Sequence, residues 1–140
     1  MLYRLFDIVT IGIPFGIFKI TSGLYFGLDV LKWWGILDLF INTLNFLLYL
    51  IKREKIISSC ALALMGRQLG KILNFNPEMT EDIGESLDVL FSFLIVAIVI
   101  GSGAITKYSP EMIKFWNISV ILNVLGAGSF RVFQSVKKLR

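Results

Sequence analysis

The chain has 140 residues, of which 56% are hydrophobic and 17% charged, with a net charge of +4 and a mean hydropathy of +0.76. An ordinary soluble domain carries about 25% charge, so the composition points to lipid, and the basic excess has a topological origin rather than a nucleic-acid partner. There is no histidine and Cys60 is the single cysteine, which excludes imidazole chemistry, an intramolecular disulfide and a cysteine-cluster metal site.

The N-terminus does not read as a secretory signal. Arg4 is followed at once by Asp7, and no small-x-small site ends a short apolar core. The first apolar segment, 8–28, is therefore expected to remain as an anchor. Gly12, Gly16, Gly23 and Gly27 share one face of it, with Lys19 among them; at about 100° per residue the five fall within about an 80° arc. Small residues on one face let helices approach closely in lipid. Lys19 opposes insertion by about +2.5 to +3.5 kcal/mol, against about −0.3 to −0.6 for each large aliphatic residue. Pro14 adds a kink. A full span is the first expectation, with a re-entrant or interfacial helix as its alternative.

Segment 33–51 is a stronger span. Trp33 and Trp34 open it at headgroup level, and Lys52, Arg53 and Lys55 close it. The short linker from Asp29 to Lys32 predicts an antiparallel hairpin of the first two segments. Residues 56–75 are less apolar. Arg67 and Lys71 share one side of a helix, and Leu62, Met65, Leu69 and Ile72 another. They read as an amphipathic helix, lying at the interface or packed on the protein's own loops.

Two helix starts follow, Asn76-Pro77-Glu78-Met79 and Ser109-Pro110-Glu111-Met112. Each places a capping side chain before a proline, with a carboxylate in the first turn. A helix over 77–106 would be roughly 45 Å long, more than a bilayer needs. Its first turns, carrying Glu78, Glu81, Asp82, Glu85 and Asp88, are expected in water as a candidate partner-facing acidic stripe. The membrane portion is 87–106. The last span, 110–133, precedes the basic tail Lys137, Lys138 and Arg140.

The fold class expected is thus an all-α integral membrane protein. It has four transmembrane helices, 8–28, 33–51, 87–106 and 110–133, and an interfacial helix, 56–75. Residues 1–140 form one membrane domain with a cytoplasmic loop, 52–86. Arg4, Lys52, Arg53, Lys55, Arg67, Lys71, Arg131, Lys137, Lys138 and Arg140 fall on one side, against Lys32, Lys107 and Lys114. That asymmetry places both termini in the cytoplasm, without separating a bacterial inner membrane from another energy-transducing or endoplasmic-reticulum membrane.

Polar residues recur inside the expected spans. Asp38, Asn42, Asn45 and Tyr49 share a face of the second, and Ser119, Asn123 and Gly126 a face of the fourth. In the hairpin the depths of Lys19 and Asn42 coincide, with Asp38 one turn away. Lys19 is therefore expected to contact Asp38 or the asparagines, with Asn123 joining the cluster. Intramembrane ionisable groups mark ion or proton paths; they also act as glue that fixes helix register. Gly101 and Gly103, and Gly126 and Gly128, form two further small-residue patches for helix packing. Cys60 is expected to be a buried structural thiol, lipidation being its alternative.

No nucleophile–base pair, metal set or nucleotide loop is present, so neither an enzyme nor a cofactor is expected. The leading expectation is a non-enzymatic small polytopic subunit. It would pack into a larger membrane assembly through the glycine face and the polar contacts, its partners being the bilayer and other subunits or copies of itself. The alternative is a homo-oligomeric pore lined by Asp38, Asn42 and Asn45. A second alternative is a small transporter.

Overall fold

The computed structural model describes the backbone of residues 2–52 and 58–138, and side chains in 5–51, 58–126, 128 and 129. The described chain is helical, with no strand. The first segment is one rod in three parts: α1 (Leu2–Asp7), a π-helical stretch (Ile8–Gly12) and α2 (Ile13–Phe26). Then come α3 (Asp29–Lys52), α4 (Ala61–Ile72), α5 (Pro77–Gly101), a 3-10 turn (Ala104–Lys107) and α6 (Pro110–Lys138).

The π stretch sits directly before Pro14. Proline offers no N–H to the Thr10 carbonyl, which a regular α ladder would have satisfied from position 14. The side chain of Asn123 on α6 donates to that carbonyl instead, at 3.2 Å. A helix defect and an interhelical contact thus have one cause. The rod ends at Gly27, whose φ of 67° stops the helix while Leu28 N–H reaches back to the Gly23 carbonyl at 2.9 Å.

The chain turns at once into α3, and the expected antiparallel hairpin forms on glycine. A Cβ on Gly16 would lie 3.2 Å from the Gly35 carbonyl and from Leu39 N, and one on Gly23 2.5 Å from Lys32 N. Gly35 of α3 is as tightly held: its Cβ would stand 2.7 Å from the Gly16 carbonyl oxygen and 2.8 Å from Ile20 N. Gly12 lies against the Asn42 side chain.

The second hairpin, α4–α5, also rests on glycines. A Cβ on Gly66 or Gly70 would strike Thr80, and one on Gly84 the Leu62 carbonyl. The amphipathic helix starts at Ala61, not at 56; 53–57 lie outside the described residues. Cys60 caps it, Sγ accepting from Ala63 N at 3.4 Å. Asn76 caps α5 as its Asn-Pro-Glu start predicts, Oδ1 accepting from Glu78 N at 2.9 Å and from Met79 N at 3.4 Å. Helix α5 stops at Gly101 rather than continuing to 106. Gly103 takes a φ of 71°, and a 3-10 turn follows before Pro110 opens α6. Two glycines within three residues let the chain leave the helix there.

Helix α2 is the centre of the bundle. Phe15 and Phe18 pack with Val99, Ala104, Tyr108 and Trp116. The Phe18 and Trp116 rings stand 4.6 Å apart, and Phe15 meets Phe93 edge-on at 5.4 Å. Three helical stretches are long and apolar enough to cross a membrane: Leu5–Phe26, Asp29–Ile51 and Pro77–Gly101. The fourth expected span falls on α6, whose side chains from 130 onward lie outside the described residues, and four spans are not established.

Candidate functional site

Lys19 is wholly buried, at 0% exposure, with Asp38 at 1% and Asp88 at 5%. Its ammonium lies 2.5 Å from Asp38 Oδ2 and 2.6 Å from Asp88 Oδ1. The three charges come from three helices, α2, α3 and α5. The ammonium also stands 4.6 Å from the centre of the Trp34 ring, a cation–π contact that strengthens away from water. The other oxygen of Asp38, Oδ1, accepts the Ala61 backbone N–H at 2.7 Å. The first turn of α4 therefore points an otherwise orphaned donor at this carboxylate. Gly35 leaves room for the arrangement, because a Cβ there would press on Lys19 Cβ at 2.8 Å.

The contact of Lys19 with Asp38 follows from the hairpin register. Asn42 lies one turn further along α3 and turns back on its own helix, Nδ2 donating to the Asp38 carbonyl at 2.9 Å. Asn45 reaches the Ser58 carbonyl at 3.1 Å. Asn45 thus seats the segment that leads into α4, Asn42 lies against Gly12, and neither of these hydrogen bonds goes to the lysine. Asn123 is spent on Thr10, so it belongs to the π-helical defect.

Asp88 reads in the sequence as the last member of a solvated stripe, and the structure divides that stripe. Glu78, Asp82 and Glu85 are exposed, Glu81 faces Arg67 at 3.5 Å, and Asp88 turns inward to Lys19. The signal was present: Gly84, Asp88, Ser92 and Val99 form the buried side of α5, and Asp88 is the acid that borders the apolar run. The small-residue patches divide as well. Gly12, Gly16 and Gly23 pack on α3, and Gly126 on Thr10. Gly27, Gly101, Gly103 and Gly128 have nothing within reach of a Cβ, and Gly27 and Gly103 serve as left-handed turn residues.

Cys60 completes the junction. Its sulfur and one oxygen each of Asp38 and Asp88 lie within 4.8 Å of one another. Burial, and after it the Asp88 carboxylate, pushes the thiol up to about 12, so with no metal bound it is a neutral group at physiological pH. The ammonium already occupies the place a cation would take between the carboxylates. Among the described residues the junction is thus a closed ion cluster. Nearby, the Ser58 and Ser59 hydroxyls and Trp34 Nε1 are buried with no hydrogen-bond partner among the described residues.

The chain matches no known family model, no curated protein and no solved structure.

Proposed function

We propose that this chain is a non-enzymatic, membrane-embedded subunit that works by packing against other membrane proteins or copies of itself. The observation that carries this reading is the inversion of its polarity. Lys19, Asp38, Asn42 and Asp88 are buried and answer one another or the backbone. The outside is strongly apolar: Leu90, Phe93, Leu94, Ile98 and Ile100 are exposed on α5, and Phe115, Ile118, Ile121, Val124 and Leu125 on α6. In water such surfaces would aggregate; in lipid they are the faces helices use to associate. The groove over the α4–α5 hairpin, lined by Met65, Leu69, Leu73, Phe75, Ile83 and Leu87, extends that surface.

Membrane integration is tested by fractionation: the chain stays with the membrane through alkaline carbonate extraction, and its release would end this reading. Assembly is tested by native mass spectrometry of the chain expressed alone in mild detergent. A monomer, or a chain that does not accumulate without partners, supports a subunit. A discrete homo-oligomer supports packing against copies of itself and opens the pore reading, which flux assays on Asp38→Asn then test. Burial of Asp38, Asn42 and Asn45 inside one chain favours the subunit, since a pore between copies needs those groups on the outside.

A further inference from the structure

We infer that the junction of Lys19, Asp38 and Asp88 is a proton-binding site, in which the two carboxylates together hold one exchangeable proton beyond those of the lysine ammonium. The inference does not depend on whether the chain works as a subunit.

Charge counting leads to it. Helix α2 contributes one cation, Lys19; α3 and α5 contribute one carboxylate each; the segment before α4 contributes the neutral Cys60 thiol. Helix α6 meets the first rod elsewhere, through Trp116 with Phe18 of α2 and Asn123 with Thr10 of the π-helical stretch. Among the described residues, the sum with both aspartates ionised is one uncompensated negative charge, on groups no more than 5% exposed. Isolated buried charge is strongly disfavoured, and groups so placed change protonation state instead. One proton makes the junction neutral. A metal ion does not replace it, because the ammonium fills the site between the two acids.

The neighbourhood fits a proton that comes and goes. One oxygen of each aspartate and the Cys60 sulfur lie within 4.8 Å of one another, close enough for one proton to serve both acids. The segment that reaches the junction, Ser58-Ser59-Cys60, carries two buried hydroxyls without partners among the described residues. Ser58 is 1% exposed, and Asn45 holds its carbonyl. Those hydroxyls are donors and acceptors of the kind that relay protons through water. Losing the proton would leave a net charge between α5 and the α2–α3 hairpin, so occupancy is coupled to how α5 seats on that hairpin.

The test is infrared spectroscopy of the full chain in detergent, titrated with pH, using aspartate labelled at the side-chain carboxyl carbon. The folded protein at neutral pH shows one protonated-carboxyl band that shifts with the label and disappears at higher pH. Asp7→Asn, which removes the half-buried acid outside the junction, keeps the band. Asp38→Asn and Asp88→Asn each leave a balanced pair and lose it. Lys19→Met removes the cation, and the band rises to about twice its intensity, because both acids are then driven neutral. Circular dichroism establishes which variants fold. If none of the junction variants does, wild type and Asp7→Asn still decide. The proposal is overturned by the lack of a labelled band in folded protein at neutral pH, by its loss in Asp7→Asn, by its survival in folded Asp38→Asn or Asp88→Asn, or by its displacement at fixed pH by sodium or calcium.

Discussion

Gly35→Ala tests the close approach of α2 and α3. The added Cβ would stand 2.7 Å from the Gly16 carbonyl oxygen, 2.8 Å from Ile20 N and 2.8 Å from Lys19 Cβ. Carbon contacts settle near roughly 3.5 to 4.0 Å, so the helices must part by about 1 Å. Two of the three atoms are backbone and cannot rotate away. Overpacking of this kind costs about 1–3 kcal/mol, offset by the roughly 0.5–1 kcal/mol that alanine gains over glycine in a helix. The net expectation is a loss of about 1 kcal/mol, within a range of roughly 0–2.5. The assay is unfolding in detergent followed by circular dichroism, with Gly101→Ala as the companion. A Cβ on Gly101 meets nothing within 4 Å, so that variant should stay within about 0.5 kcal/mol of wild type. Equal stability of the two variants would refute close packing at Gly35.

Asn123→Leu keeps the bulk but removes the donor that answers the Thr10 carbonyl. A buried acceptor left alone costs about 1–3 kcal/mol, so the same unfolding assay should show a loss of that size; an unchanged midpoint would mean water or a rearranged ladder serves the carbonyl. Lys19→Met leaves two buried carboxylates facing each other and should destabilise by about 3–5 kcal/mol at a pH where both ionise, with part of the loss recovered on acidification. A loss independent of pH would argue against charge as its cause. Cys60 sets a third expectation. Its thiol is raised from 9.0 to about 12 in the folded chain, so the folded state holds the proton where the unfolded state has lost it. Stability then falls as pH climbs from about 9 toward 12, and Cys60→Ala should flatten that part of the profile. In the folded protein a maleimide should label Cys60 slowly at neutral pH and rapidly after denaturation; equal rates would show an exposed thiol.

Much of this arrangement is legible in the sequence because a tight hairpin turns spacing into depth. The short link between the first two segments brings Lys19 to the depth of Asn42 with Asp38 one turn away, and the structure selects Asp38 from that set. The caps at Asn76 and Ser109 likewise state where α5 and α6 begin. Asp88 is less legible because the acids before it share its chemistry, and only the inward face of α5, set by Gly84 against Leu62, separates it from them. Gly35 gives no sequence signal because it stands alone among large side chains, whereas the first segment repeats its glycines. The glycines at 101 and 103 mislead for a related reason: they look like a packing patch but serve to end a helix. The descent of Ser58-Ser59-Cys60 to the level of Asp38 has no periodic signal at all, since it depends on the contacts of Asn45 with Ser58 and of Asp38 with Ala61.

The ion junction and the glycine seam depend on each other. A buried pair is by itself weak evidence for stability, because burial costs each ion its water. What Lys19 gains from Asp38 and Asp88 must therefore come from short, well-aligned contacts, and those exist only if α3 lies close to α2. Gly35 permits that approach at the level of the lysine itself, where any side chain would press on Lys19 Cβ. Conversely, a glycine seam without charges would be free to slide, since one small residue packs much like the next. The lysine binds one acid on the hairpin partner and one on α5, and the same Asp38 receives the first turn of α4. One slip of the seam would break all three contacts together. The glycines thus set how near the helices come, and the charges set which residues face each other.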